Sequence, residues 1–248
     1  MEEVGIPLNK KKVVIPHEHG AWAMVSVPFL IGMAAGKPNW MHLLLFVGWL
    51  LLYLSSYPLL QAVKRANDRP RMLQWGAGYG LSAVAFLLTP LILYPQLFIF
   101  GIPLCLLLAI NILYAKRKSE RALFNDLCAI LSFSLAAAAA YLVGEGSWDM
   151  MMLSVVIINF IYFTGTAFFV KSVFRERSSV RWSNYAKVYH VMTLIVPFLM
   201  GWPWLAFAFV FPAVRTCIFA GKKMKPMKVG ILEIVGSLQF LVLTIVVL

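Results

Sequence analysis

Acidic residues are scarce in this chain: ten Asp and Glu stand against 22 Lys and Arg in 248 residues. Charged residues of all kinds make up 13% of the sequence, half of what a water-facing surface normally needs. Cysteine is equally sparse. Cys105, Cys128 and Cys217 occur singly, without the paired spacing of a disulfide framework or a thiolate metal site. No glycine-rich phosphate loop, internal repeat or low-complexity tract is present, which excludes nucleotide-cradling and solenoid architectures. What is abundant is apolar: 61% of side chains are hydrophobic and the mean hydropathy is +0.82. Long runs of this kind mark segments that cross a bilayer.

A spanning helix needs roughly 20 apolar residues. Apolar runs between charge clusters predict nine helices at about 20–36, 40–63, 72–93, 96–115, 123–143, 149–170, 185–200, 203–220 and 229–248. The first run is read as a span rather than a cleaved leader, because polar His-Glu-His separates it from the preceding lysines. All basic residues except Lys37 and Arg215 fall in the N-terminal segment or in alternate connections. Positive charge is retained on the cytoplasmic side, so the N-terminus is expected inside and the C-terminus outside. The basic residues are dispersed in short clusters rather than gathered in one patch, which argues against nucleic acid as a partner. The expected protein is all-α and polytopic, with a cytoplasmic segment at 1–19, in a single transmembrane domain over 1–248.

Polar groups within lipid are costly and have partners or tasks. In this chain they gather toward the basic side. His17, Glu18 and His19 precede the first span; Asn67 and Asp68 follow the second. Asn111, Tyr114 and Lys116 end the fourth, and Lys171 and Arg175 follow the sixth. His190 opens the seventh. Lys171 and Arg175 are four apart, so a continuing helix places them on one face, where they could hold a phosphate or carboxylate. The "AAAAA" run at Ala136–Ala140 reads as a face for close helix packing. Two charges lie within spans: Arg215 and Glu233, each about five residues from the basic end, or ~7–8 Å deep. Adjacent antiparallel helices would bring them together as a structural ion pair.

Two resemblances follow from particular stretches. "AVKRANDRPR", "NILYAKRKSERALFNDLCAILSF" and the segment after Thr164-Gly165-Thr166 resemble the UbiA superfamily of intramembrane prenyltransferases. That resemblance implies a UbiA-like bundle whose loops hold a prenyl diphosphate through magnesium, with Asn67 and Asp68 at the first Asp-rich motif. The pattern departs from the superfamily at Arg71 and Trp75, where further aspartates are expected, and at Lys171 and Arg175 around the second motif. Magnesium demands several oxygen ligands, so a standard two-magnesium site is not expected; the basic substitutions suit direct binding of an anion instead. "IPHEHGAWAMVSVPFLIGMAAG" and "VKSVFRERSSVRW" resemble, more narrowly, the YwiC-like family of bacterial membrane proteins.

In "VVIPHEHGAW", His17 and His19 are two apart, a spacing that points side chains away from each other on any regular element. Metal binding there is disfavoured, and zinc is the ion it would best suit. Two alternatives stand: a cap of the first helix, aided by Glu18 at the positive helix end, or acid–base groups at a cytoplasmic mouth. The expected function is binding of an anionic isoprenoid-like or other lipid in a cytoplasm-facing cavity, with prenyltransferase-like transfer as one chemistry. The expected catalytic groups are His17, Glu18, His19, Asp68 and His190; those expected to bind substrate are Asn67, Asn111, Tyr114, Lys116, Lys171 and Arg175. A non-catalytic transporter or assembly factor for a small anion or lipid is the alternative.

Overall fold

The structure is a computed structural model that describes residues 13–16, 19–64, 66–145 and 147–248. Ten α-helices account for most of it: α1 (His19–Ala35), α2 (Met41–Lys64), α3 (Arg69–Leu93), α4 (Gly101–Lys116), α5 (Leu123–Glu145), α6 (Met150–Val173), α7 (Val180–Thr193), α8 (Val196–Leu199), α9 (Ala206–Phe219) and α10 (Pro226–Val247). Short 3₁₀ turns precede α3, α4 and α9, and there is no strand among the described residues. By length and composition, six helical segments can cross a membrane: α2, α3 with its 3₁₀ turn, α4 with its turn, α5, α6 and α10. Two shorter apolar segments, Gly20–Ala35 and Pro203–Phe219, accompany them.

The apolar run at 185–200 is not one helix. It divides into α7 and the single turn α8, with Leu194 and Ile195 between them. Pro197 explains the break: it lacks an N–H, and its ring would collide with the carbonyl of residue 193 in a continuous helix. Trp202 accepts the change of direction by donating its N–H to the Pro197 carbonyl at 2.8 Å.

The centre is set by α5 and α6. In each, 56% of the span is buried, against 17–22% in α2, α3 and α4. α1 runs between them and α10, while α2 and α3 pair as an antiparallel hairpin to one side. The α1–α5 seam is tight because both helices present small residues. A Cβ on Gly32 would stand 2.0 Å from the Ala137 carbonyl oxygen, and one on Gly36 would stand 3.1 Å from that of Tyr141. Ala136, Ala137, Ala138 and Ala140 of α5 are all buried. Without a hydrophobic force between helices in lipid, such close approach is what holds them. Outward leucines and isoleucines such as Leu81, Ile92, Ile102 and Leu106 remain exposed, as a lipid-facing surface requires.

One end of the bundle is fastened by polar clamps. His42 is buried, accepts the Asn39 N–H on Nδ1 at 3.1 Å and donates from Nε2 to the Ala140 carbonyl at 2.9 Å. Asp149 caps α6 by accepting the Met152 N–H at 2.9 Å, and it also accepts from the Ser147 and Tyr141 hydroxyls at 2.7 and 2.8 Å. Those donors, the Met152 N–H first, hold its carboxyl below the usual aspartate value.

Candidate functional site

The opposite end is where α2, α5 and α6 meet the connection between α4 and α5. That connection is pulled from two sides. Lys64, the last residue of α2, reaches Glu120 at 2.6 Å. From α6, Lys171 reaches Asp126 at 2.8 Å and donates to the Arg121 carbonyl at 2.6 Å. Arg175 donates to the same carbonyl at 3.5 Å. The four-residue spacing therefore delivers both cations to one point, and that point is a backbone oxygen on the neighbouring loop.

Their exposures differ. The Lys171 side chain is 6% exposed and its ammonium is engaged twice; Arg175 is exposed, with guanidinium donors left toward solvent. Arg121 is exposed beside them, and Lys116 is exposed at the end of α4. Glu120 and Asp126 are each ion-paired, so the surplus charge at this end is positive. Asp126, Glu120 and Lys64 are functional-looking partners absent from the sequence-predicted set. An acid opening α5 directly after a basic loop was their only signal.

The other sequence-predicted residues are distributed. Asn67 is exposed in the turn before α3, and Asp68 meets Arg71 at 3.7 Å. Asn111 donates to the Leu107 carbonyl of its own helix at 2.7 Å, and the Tyr114 ring packs near Phe124. His17 and Glu18, together with the side chain of His19, lie outside the described residues. No group of three or more His, Cys, Asp or Glu side chains that could hold a metal occurs among the described residues.

A second polar group is buried between α6, α7, α9 and α10. Arg215 Nη1 stands 2.6 Å from Glu233 Oε1, with side-chain exposures of 1% and 9%. The guanidinium lies 4.1 Å from the Phe169 ring centroid, a cation–π arrangement. Arg215 is four residues from the end of α9, and Glu233 is seven from the start of α10. His190, 3% exposed, donates from Nδ1 to the Ala186 carbonyl at 2.8 Å and leaves Nε2 without a partner.

Fold and surface together define a multi-pass helical protein of membrane type. The chain belongs to the YwiC-like family: the family described as "YwiC-like protein" matches residues 15–141. It is 36% identical over 230 residues to "Uncharacterized protein YwiC" of Bacillus subtilis (strain 168), covering 93% of this chain and 96% of that one. It is 34% identical over 235 residues to an "Uncharacterized protein" of Haemophilus influenzae (strain ATCC 51907 / DSM 11121 / KW20 / Rd), covering 95% and 98%. No solved structure matches the chain significantly.

Proposed function

We propose that this YwiC-like protein crosses the bacterial cytoplasmic membrane nine times, with the basic end and N-terminus inside and the C-terminus outside. On this reading α7 with α8, and the shorter α1 and α9, complete the six long spans. We propose further that the basic end binds the anionic head of an isoprenoid-like or other lipid, whose tail lies along the helices. The observation that carries this reading is the convergence of Lys171 and Arg175 on the Arg121 carbonyl, at the boundary where α6 leaves its apolar stretch. Lys171 fixes the loop, and Arg175 and Arg121 present the free donors. An arginine fork suits phosphate better than a lysine point charge does. Phosphates also gain from the surplus positive field.

Transfer chemistry on such a lipid is the enzymatic form of this proposal. It would proceed without two metals held by clustered aspartates, since Asp68 and Asp126 each face a cation. Carriage of a small anion or lipid is the second form, favoured by the buried polar group around Arg215.

Native mass spectrometry of the purified protein tests the binding. The expected result is a retained anionic lipid that is lost when Arg121 and Arg175 are both changed to Glu. Equal retention by that variant, or no anionic lipid on the native chain, overturns the proposal. Uptake of a labelled anion into proteoliposomes separates carriage from transfer.

A further inference from the structure

The group around Arg215 is more than an ion pair sealed in apolar surroundings. A buried pair is compensated only when its remaining donors and acceptors find partners. Arg215 has five N–H donors, yet only Nη1 meets an acceptor, Glu233 Oε1, while Nε and Nη2 are without hydrogen bonds. Two further polar atoms from the adjoining helices are in the same condition: the Thr216 hydroxyl of α9 and His190 Nε2 of α7. Ser237, one turn beyond Glu233, stands beside Tyr162. Unmatched polar groups out of water are each costly, and buried polar atoms of this kind are the usual partners of internal water.

We propose that Glu233 is a proton-exchanging carboxylate within the membrane, fixed beside Arg215 and served by water held on the surrounding hydroxyls and the His190 imidazole. The step is simple to balance. A hydronium gives its proton to a Glu233 carboxylate oxygen, leaving water and a neutral acid, and the charge of the Arg215–Glu233 pair rises from zero to plus one. Release to water restores the pair.

The surroundings of Glu233 favour such an exchange over any other ligand. On α9 the facing charge is Arg215; on α6 the titratable group is Tyr162, stacked on Phe240 of α10 at 3.8 Å. On α7, His190 feels the Arg215 charge. α1 also packs on α10 and carries no charged side chain among its described residues. Glu233 is therefore the one acid in the group, and Arg215 is the charge beside it. The His190 tautomer leaves Nε2 as an acceptor that can order a water.

The test is infrared spectroscopy of the whole protein in lipid nanodiscs, titrated from about pH 9 to about pH 4. Glutamate is labelled with ¹³C to identify its carboxyl stretch. A glutamic-acid band of a water-shielded carboxyl is expected to grow with acid and to shift promptly in D₂O. It should be lost in Glu233→Gln and should move to the aspartate set in Glu233→Asp. The native protein alone decides the matter where a variant fails to fold. Absence of any shielded glutamic-acid band in this range, or a band that resists D₂O, overturns the proposal and leaves a sealed structural pair. A band that survives Glu233→Gln overturns it as well.

Discussion

Gly32→Ala is expected to separate the two helices at the centre of the molecule. The added methyl carbon would lie 2.0 Å from the Ala137 carbonyl oxygen, 2.6 Å from its carbonyl carbon and 2.7 Å from its Cα. All three are backbone atoms of α5, so no side chain can turn aside. An ordinary C···O approach is about 3.3 Å, which requires α1 and α5 to part by about 1.3 Å. A gap of 0.5–1 Å already forfeits roughly a quarter to a half of each dispersion contact, and the seam consists largely of such contacts. The cost is therefore about 3 kcal/mol, at the upper part of the usual range for overpacking. Replacing glycine in a helix returns up to about 1 kcal/mol, for a net loss of about 2 kcal/mol. Gly78→Ala on α3 is the control, because nothing stands within 4 Å of its added carbon; it should gain about 0.5–1 kcal/mol. Unfolding in mixed micelles by SDS titration, followed by tryptophan fluorescence, measures the difference of about 3 kcal/mol between the two variants. If Gly32→Ala proves as stable as Gly78→Ala, the close α1–α5 approach is refuted.

Other perturbations address the two ends and the interior. Asp149 has a depressed carboxyl value, so its contribution to stability is present above the unfolded aspartate value of about 3.9 and is lost as pH falls through the folded one. The stability difference between the native chain and Asp149→Asn should accordingly shrink on acidification, and a difference independent of pH would contradict the capping role. Lys171→Met should cost about 1–3 kcal/mol, since it strips a partner from Asp126 and from the Arg121 carbonyl. A double-mutant cycle with Asp126→Asn should return a favourable coupling, and additive effects would argue against the contact. Arg215→Met alone should destabilise by about 3–5 kcal/mol by leaving Glu233 unpaired, while Arg215→Met with Glu233→Leu should recover most of that loss in the same SDS titration.

The helices were readable because lipid imposes one rule on every crossing segment: backbone polar groups must be satisfied within it, and its side chains must be apolar. Charge clusters such as Lys64–Arg71 and Lys116–Arg121 mark where that rule is released. The rule reports composition and says nothing about continuity, which is why the run at 185–200 conceals the break that Pro197 imposes between α7 and α8. The spacing of Lys171 and Arg175 carries their shared face, because residues four apart on a helix are neighbours whatever surrounds them. Their common acceptor was beyond reach, since the Arg121 carbonyl has no side-chain signature and lies 50 residues away from Lys171. Arg215 and Glu233 announce themselves as charges inside apolar runs, yet Tyr162, Thr216 and Ser237 do not, because hydroxyls on spanning helices more often bond back to their own backbone. Ser134, bonded to the Ile130 carbonyl at 2.9 Å, does just that. What sets the Tyr162 hydroxyl apart is that Glu233 of another helix lies within range of it, and only the packing of α6 against α10 reveals that. The surplus of unmatched polar atoms at that crossing, rather than any motif, is the reason to look for proton exchange at Glu233.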